Sequence, residues 1–282
     1  MKHNLTNLTK IKIAILSIVA LVFIVYIVSG FINPLQVTHY SYSSSKIPDG
    51  FENYRIIQIS DFHCQEFGDK ESKLIETIKN EDPDLIVFTG DSIDDKHPID
   101  NYRYLLEGIY KIAPIYYVTG NHEYDQDAPY DEMLELHKKY RIKDLNDVDA
   151  IITRNGDAIL LSGMDYLPVL NGHNLNIDYA NTSIFNMLLY HGTDRFDGIA
   201  PYNYDLVLSG HTHGGIVRLP FVGGLLTNEG ELFPKYDSGV YTSGVSTMIS
   251  SRGLGDAAIP RFHNSRELVC VTLHHADKTI TE

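Results

Sequence analysis

Cysteine is scarce. Cys64 and Cys270 are the only two among 282 residues, too few for a disulfide framework and at no spacing that ligates a metal. Both are expected to pack as small apolar side chains. Positive charge is scarce as well. Three of the 23 basic residues lie in 1–32, a stretch without acids, so the rest of the chain sets 20 against 37 acidic residues, a formal charge of −17. That is a poor footprint for nucleic acid, and no nucleic-acid surface is indicated. An acidic body also repels phosphorylated substrates at long range, so phosphate chemistry would need local positive charge, for which bound divalent metals are the simplest source. Low-complexity tracts and repeats of solenoid period are absent, which leaves an ordinary globular composition with 43% hydrophobic and 21% charged residues. Beyond its N-terminal segment the chain is long enough for one large domain, and two are not required.

One long apolar run is present. Ile13 to Ile32 is interrupted by little more than Ser17, Ser29 and Gly30, and ~20 helical residues at ~1.5 Å rise span about 30 Å of hydrocarbon. Lys2, Lys10 and Lys12 precede the run, whereas the first basic residue after it is Lys46. The positive-inside bias therefore predicts a single-pass protein of the cell membrane, with 1–12 cytoplasmic, 13–32 an anchor and the body exported. A cleaved signal peptide is the competing reading. The run exceeds the usual ~7–15 residue core of such a peptide, and no small-x-small site closes it. A buried soluble helix fits less well, because no polar face recurs at helical spacing.

After a linker and first strand in 33–50, the pattern of 51–282 is that of one catalytic domain. Leu35–Tyr42 and Tyr54–Ser60 are predicted strands, and the second runs directly into Asp61-Phe62-His63. Glu71–Asn80 is a predicted helix, broken by Pro83, after which Asp84–Thr89 is a buried strand ending in Gly90-Asp91. Asn101–Ile112 and Asp131–Tyr140 are predicted helices, and the strand Ile115–Thr119 between them ends in Gly120-Asn121-His122-Glu123. Ala150–Thr153 and Ala158–Ser162 flank Asn155-Gly156, a hairpin signal. Ser183–Tyr190 leads into His191, and Asp205–Ser209 leads into Gly210-His211-Thr212-His213. Ile216–Leu219, Val240–Ser243, Thr247–Ser250 and Leu268–Leu273 complete the predicted strands. Five strand ends thus carry metal-type ligands, as in α/β folds whose functional groups gather beyond the carboxyl ends of the strands.

Any one of these short motifs is ordinary turn chemistry. In this order, each after an apolar strand, Asp61-x-His63, Gly90-Asp91-x-x-Asp94, Gly120-Asn121-His122-Glu123, His191 and Gly210-His211-x-His213-Gly214 are far more specific. Gly90, Gly120 and Gly210 each precede a ligand, permitting tight turns and close backbone approach. His97, His137, His173, His263, His274 and His275 lack motif support and are expected to be surface or packing residues, while His3 and His39 are unassigned. Arg252 either faces a substrate phosphate or pairs with one of the many acids. Asn181-Thr182-Ser183 matches a glycosylation acceptor, to which no function is attached.

From Tyr54 to Leu273 the sequence resembles the calcineurin-like metallophosphoesterases, with all five motif blocks present. The apolar run, Ser251-Arg252-Gly253-Leu254-Gly255 and Pro260-Arg261-Phe262 are similar to the membrane-associated bacterial branch that includes YaeI-type phosphodiesterases. The resemblance implies an α/β fold, a four-layer αββα sandwich preceded by the transmembrane helix. It implies that Asp61, His63, Asp91 and His213 hold one divalent metal, and Asp91, Asn121, His191 and His211 a second, with Asp91 shared. Two metals ~3.5–4 Å apart need a common anionic ligand, and oxygen and imidazole donors suit Mn, Fe or Zn. The implied reaction is in-line attack on phosphorus by a metal-bridging hydroxide, with His122 protonating the leaving alkoxide and Asp94 orienting His122. The expected substrate is a phosphodiester or pyrophosphate of an envelope lipid or polymer, with loops 94–103 and 163–182 setting specificity. A catalytically inactive, membrane-tethered envelope-binding protein of the same fold is the rival, and it would need neither His122 nor Asp94.

Overall fold

The computed structural model describes residues 2–173, 177–227, 230–256, 259–276 and 278–282. Helix α1 (Lys2–Gly30) is followed by a body built on two mixed β-sheets. In the first sheet, β2 (Tyr54–Ile59), β3 (Leu85–Thr89) and β4 (Ile115–Val118) are parallel neighbours. β3 and β4 are apolar runs and β2 is one apart from Arg55 and Gln58, because both faces of these strands are covered. β14 (Arg266–His274) flanks β2 antiparallel and pairs in parallel with β1 (Leu35–Ser43) over nine residues. The strand expected within 33–50 is therefore integral to the sheet. The edges are β15 (Thr279–Thr281) and β5 (Lys143–Asp144).

The second sheet has the order β12 (Gly239–Ser243), β13 (Ser246–Ser250), β9 (Leu206–Ser209), β8 (Asn186–Leu189), β7 (Asp157–Gly163) and β6 (Asp149–Arg154). A short hairpin of β10 (Val217–Leu219) and β11 (Gly223–Leu226) stands apart. Alternate residues of each strand face opposite layers. Ile56, Val87 and Tyr116 point between the sheets to meet Leu161, Met187, Leu189 and Leu208. Ile57, Phe88 and Tyr117 point outward against Leu74, Ile78, Tyr102, Leu105, Met133 and Leu136. Those residues come from α2 (Ser72–Asn80), α3 (Asp100–Ile109) and α4 (Tyr130–Tyr140). Leu188, Val207 and Met248 of the second sheet meet Phe196, Ile199 and Tyr236, with α5 (Leu167–Leu170) and α6 (Phe196–Ile199) on that side. The result is the four-layer αββα sandwich.

Departures from the sequence reading have local causes. α3 stops at Ile109 rather than Ile112, where the chain tightens into a turn in which the Ile112 N–H donates to the Ile109 carbonyl at 2.9 Å. The strand expected from Ser183 begins at Asn186, because Asn181 turns the chain by accepting from the Ser183 N–H at 3.1 Å. β5, β11 and β15 went unread: the first is two exposed residues, the second begins Gly-Gly, and neither shows a period. Asn155 and Gly156 both have positive φ and join Arg154 to Asp157, as a two-residue primed turn requires.

Within α1, Asn7–Gly30 is long and apolar enough to cross a membrane, and its most apolar 18 residues, of mean hydropathy 2.9, are not buried against the body. Its C-terminal end is tied down. The His263 N–H donates to the Gly30 carbonyl at 2.6 Å, and the Phe31 and Phe262 rings lie 5.2 Å apart. Asn33 donates through Nδ2 to the Arg261 carbonyl at 2.8 Å and accepts from the Asn264 N–H at 3.1 Å.

Candidate metal centre

The carboxyl ends of β2, β3 and β4 in one sheet and of β8 and β9 in the other open onto the same place. Gln58 donates to the Ser209 carbonyl at 2.9 Å, joining the two sheets just below it. Asp61, Asp91, Asn121, His191 and His211 each follow one of these five strands within three residues. Gly90 takes φ +85, and a Cβ there would lie 2.6 Å from His191 Nδ1, so the approach of the two loops requires glycine.

All seven residues expected to hold metals are brought together. His191 Nε2 is 3.1 Å from Asp91 Oδ2, 3.2 Å from Asn121 Oδ1 and 3.1 Å from His211 Nδ1. On the other side of Asp91, the same Oδ2 is 3.8 Å from His63 Nε2. His63 Nε2 is in turn 3.3 Å from His213 Nε2, which is 3.6 Å from Asp61 Oδ1. The Asp91 carboxylate thus stands between two groups of donors, and all of these side chains are buried except those of Asn121 and His211, which are partly buried. Two such clusters, Asp61–His63–His213 and Asp91–His191–His211, have spacings that could hold an ion each.

A family model for calcineurin-like phosphoesterases matches residues 54–215. The chain belongs to that family. The phosphoesterase is 31% identical over 254 residues to the uncharacterized metallophosphoesterase YkuE of Bacillus subtilis, covering 85% of each chain. It is 30% identical to an uncharacterized metallophosphoesterase of Aquifex aeolicus, covering 85% of this chain and 92% of that one. A transmembrane protein with metallophosphoesterase domain from Danio rerio is 27% identical over 88% of this chain and 60% of its own length.

The donor chemistry of the phosphoesterase fits metal ions. His191 places Nδ1 at 2.8 Å from the Thr89 carbonyl, which fixes a proton on Nδ1 and turns Nε2 toward Asp91. Asp61 accepts from Ser60 Oγ at 2.6 Å and from the His211 N–H at 2.9 Å, which aims its carboxylate. Burial by itself would raise the Asp91 carboxyl, but the imidazoles of His191 and His63 outweigh it and hold the carboxyl well below its usual range. Burial would lower His191, yet the Asp91 charge pushes it up to about 10. Burial and the neighbouring His63 hold His213 well below its ordinary value. Two anionic carboxylates and four clustered imidazoles make a site that a cation completes.

Asp94, expected to orient His122, makes its contacts with other groups. Its carboxylate is turned back on its own loop by the Lys96 and His97 N–H groups at 3.0 and 2.8 Å, and it contacts His97 Nδ1 at 2.8 Å and His63 Nδ1 at 3.5 Å. His122 pairs instead with Asp125, three residues on in the same tight turn, at 2.6 Å from Nδ1. Asp94 is therefore positioned behind His63, and Asp125 behind His122. His97, expected at the surface, is the other partner of Asp94.

Three further residues, quoted within the motifs, were given no role from sequence. Glu123 is buried and accepts from the Asp91, Ser92 and Gly120 N–H groups at 2.9, 2.7 and 2.7 Å, clamping two ligand loops together. Arg261 is buried with Nη2 at 3.3 Å from His213 Nδ1 and 2.6 Å from the Gly255 carbonyl. Gly253, at φ +69, packs so closely on Asp61 that a Cβ would fall 2.7 Å from the Asp61 Cβ. Arg252 does not reach the centre, since Nη2 pairs with the buried Glu267 at 2.9 Å. His137 is a packing residue, held by the Tyr102 hydroxyl and Asp144 at 2.7 Å each.

Beside His211 lies a cavity of about 450 Å³ lined by Tyr166, Arg195, Thr212, Lys235 and Tyr236 among others. Tyr166 and Val169 come from the 163–182 loop, of which 174–176 lie outside the described residues.

Proposed function

We propose that this metal-dependent phosphoesterase hydrolyses a phosphodiester or pyrophosphate of an envelope lipid or polymer, outside the cytoplasm and held to the membrane by α1. This reading places it with the membrane-associated bacterial branch that includes YaeI-type phosphodiesterases. One observation carries the choice of a diester: the cavity against His211 has room for a second substituent on phosphorus, between two tyrosines, Glu231 and the ion pairs Arg195–Asp194 and Lys235–Asp197.

Asp61, His63, Asp91 and His213 would hold one ion, and Asp91, Asn121, His191 and His211 the other. When bound, two such ions supply Lewis acidity at the phosphoryl oxygens and a water acidified toward neutral pKa. The chain's own residues orient and move protons around that centre. The His122 backbone N–H donates to Asp91 Oδ1 at 2.9 Å, which leaves Oδ2 for the shared position. The His122 ring, 4.8 Å from that of His63 and partly open to solvent, keeps Nδ1 on Asp125 and has Nε2 to deliver a proton to the departing alkoxide. Asp94, through His63, fixes a ligand ring from behind.

The full-length protein, purified in detergent and loaded separately with Mn, Zn and Fe, tests the reading against phosphomonoesters, phosphodiesters and lipid pyrophosphates. Diester or pyrophosphate turnover should exceed monoester turnover. A monoester preference overturns the diester assignment. Loaded protein that turns over none of the three is the tethered binding module instead.

A further inference from the structure

The hairpin of β10 and β11 is fastened to the point where α1 meets the body. Phe262 donates to the Ile216 carbonyl at 3.1 Å and accepts from the Arg218 N–H at 2.9 Å, so the base of the hairpin forms a small sheet with the 260s. The same Phe262 ring packs against Tyr26 and Phe31 of the anchor end, with centroids 6.0 and 5.2 Å away. Only Phe31 to Pro34 separate α1 from β1, and Asn33 in that stretch is itself pinned to Arg261 and Asn264. The face carrying the hairpin is thereby held beside the anchor.

That face is apolar where it should be polar. Phe221 and Val222 at the hairpin tip and Leu232 and Phe233 after it are exposed, as are Phe31 and Ile32 at the anchor end to which the hairpin's base is fastened through Phe262. Phe221 and Phe233 also take φ of +66 and +53, a left-handed conformation that disfavours a bulky side chain. Since neither ring is buried in the fold, packing within the body does not explain why an aromatic stands at either position. We propose that this patch is a second membrane contact, whose occupant is the interfacial layer of a phospholipid bilayer. The proposal rests on α1 being membrane-inserted. It adds a consequence for the substrate: Thr227, Glu231, Pro234 and Lys235 of the same stretch wall the cavity beside His211, so the cavity lies at the lipid headgroup level.

The test is depth-resolved quenching in the full chain reconstituted into phosphatidylcholine vesicles. Single variants Val22→Cys, Phe221→Cys, Phe233→Cys and Ile151→Cys are labelled with an environment-sensitive fluorophore, while native Cys64 and Cys270 are buried and stay unlabelled. Ile151, exposed on the edge strand β6 of the second sheet, is the control for a solvent-facing site. Lipids carrying a spin label near the headgroup should cause loss of emission at 221 and 233 but not at 151, and lipids labelled deep in the chain should do so at 22. Quenching at 22 with 221 and 233 behaving like 151 overturns the second contact while leaving the anchor intact. Absence of quenching at 22 overturns the anchor, and the proposal with it. Unchanged thermal melting of each labelled variant shows that the comparison is between folded proteins.

Discussion

Asp91 gives one oxygen to a backbone donor and turns the other toward His63 and His191, so its charge serves both donor groups at once. Asp91→Asn should therefore lose both metals rather than one, as elemental analysis of the protein after Mn or Zn loading will report; retention of a single tight ion would assign Asp91 to one group only. His122→Ala should keep both metals and slow hydrolysis by ~10²–10⁴-fold when the leaving group is a poor alkoxide, the usual scale for positioned proton transfer. With nitrophenolate, which departs unprotonated, the loss should shrink. Because His122 rests on Asp125 at 2.6 Å, Asp125→Asn should mimic this leaving-group dependence in milder form. Asp94→Asn should instead weaken metal retention through His63 without any leaving-group dependence, and the reverse pattern would restore Asp94 as the orienting residue. The ligands were legible in the sequence because each follows an apolar strand, often with a glycine before it. The choice between Asp94 and Asp125 was not, since it depends on which backbone N–H groups capture a carboxylate in a loop. Arg261 stood in a recognisable phrase, but its contact with His213, 48 residues away, could not be read from it.

The longer strands and helices followed from periodicity, whereas short elements were missed, as at β5, β15 and the four-residue α6. The entry to α2 shows a finer effect. Glu71 sits there at φ +61, buried, accepting from the Phe67 N–H at 3.1 Å. Burial raises its carboxyl from the ordinary 4.5 to about 8, against the opposing pull of that hydrogen bond. The unfolded chain thus releases the proton before the folded one does. The stabilising contribution is full below about pH 4.5 and disappears as pH rises through about 8. Glu71→Gln should remove this slope, leaving Tm near wild type at pH 5 and raising it at pH 9 by several degrees, since each pH unit by which the carboxyl is raised is worth about 1.4 kcal/mol and each kcal/mol moves Tm by roughly 2–4 °C at this size. Parallel Tm–pH curves for the two proteins would show that Glu71 is ionised in the folded state throughout.

At the scale of the whole molecule, a body of formal charge −17 hydrolyses an anionic ester. Repulsion between them is screened by salt, so kcat/KM for a soluble anionic diester should rise between 20 and 200 mM NaCl while kcat stays level, on the ~10 Å screening length that applies in this range. A fall with salt would reveal a steering patch of positive charge at the cavity mouth. On the proposed topology the basic residues before α1 stay cytoplasmic and the body faces outward. Protease added to intact spheroplasts should then digest it, whereas protection until lysis would reverse the orientation. The short pinned connection between α1 and β1 carries a kinetic consequence. With α1 in the bilayer and lipid esters as substrates, as proposed above, an enzyme so held would sample an area and not a volume: turnover should follow the mole fraction of ester in the bilayer and be indifferent to dilution of the vesicles, and a long-chain ester in a neighbouring vesicle should be invisible to it.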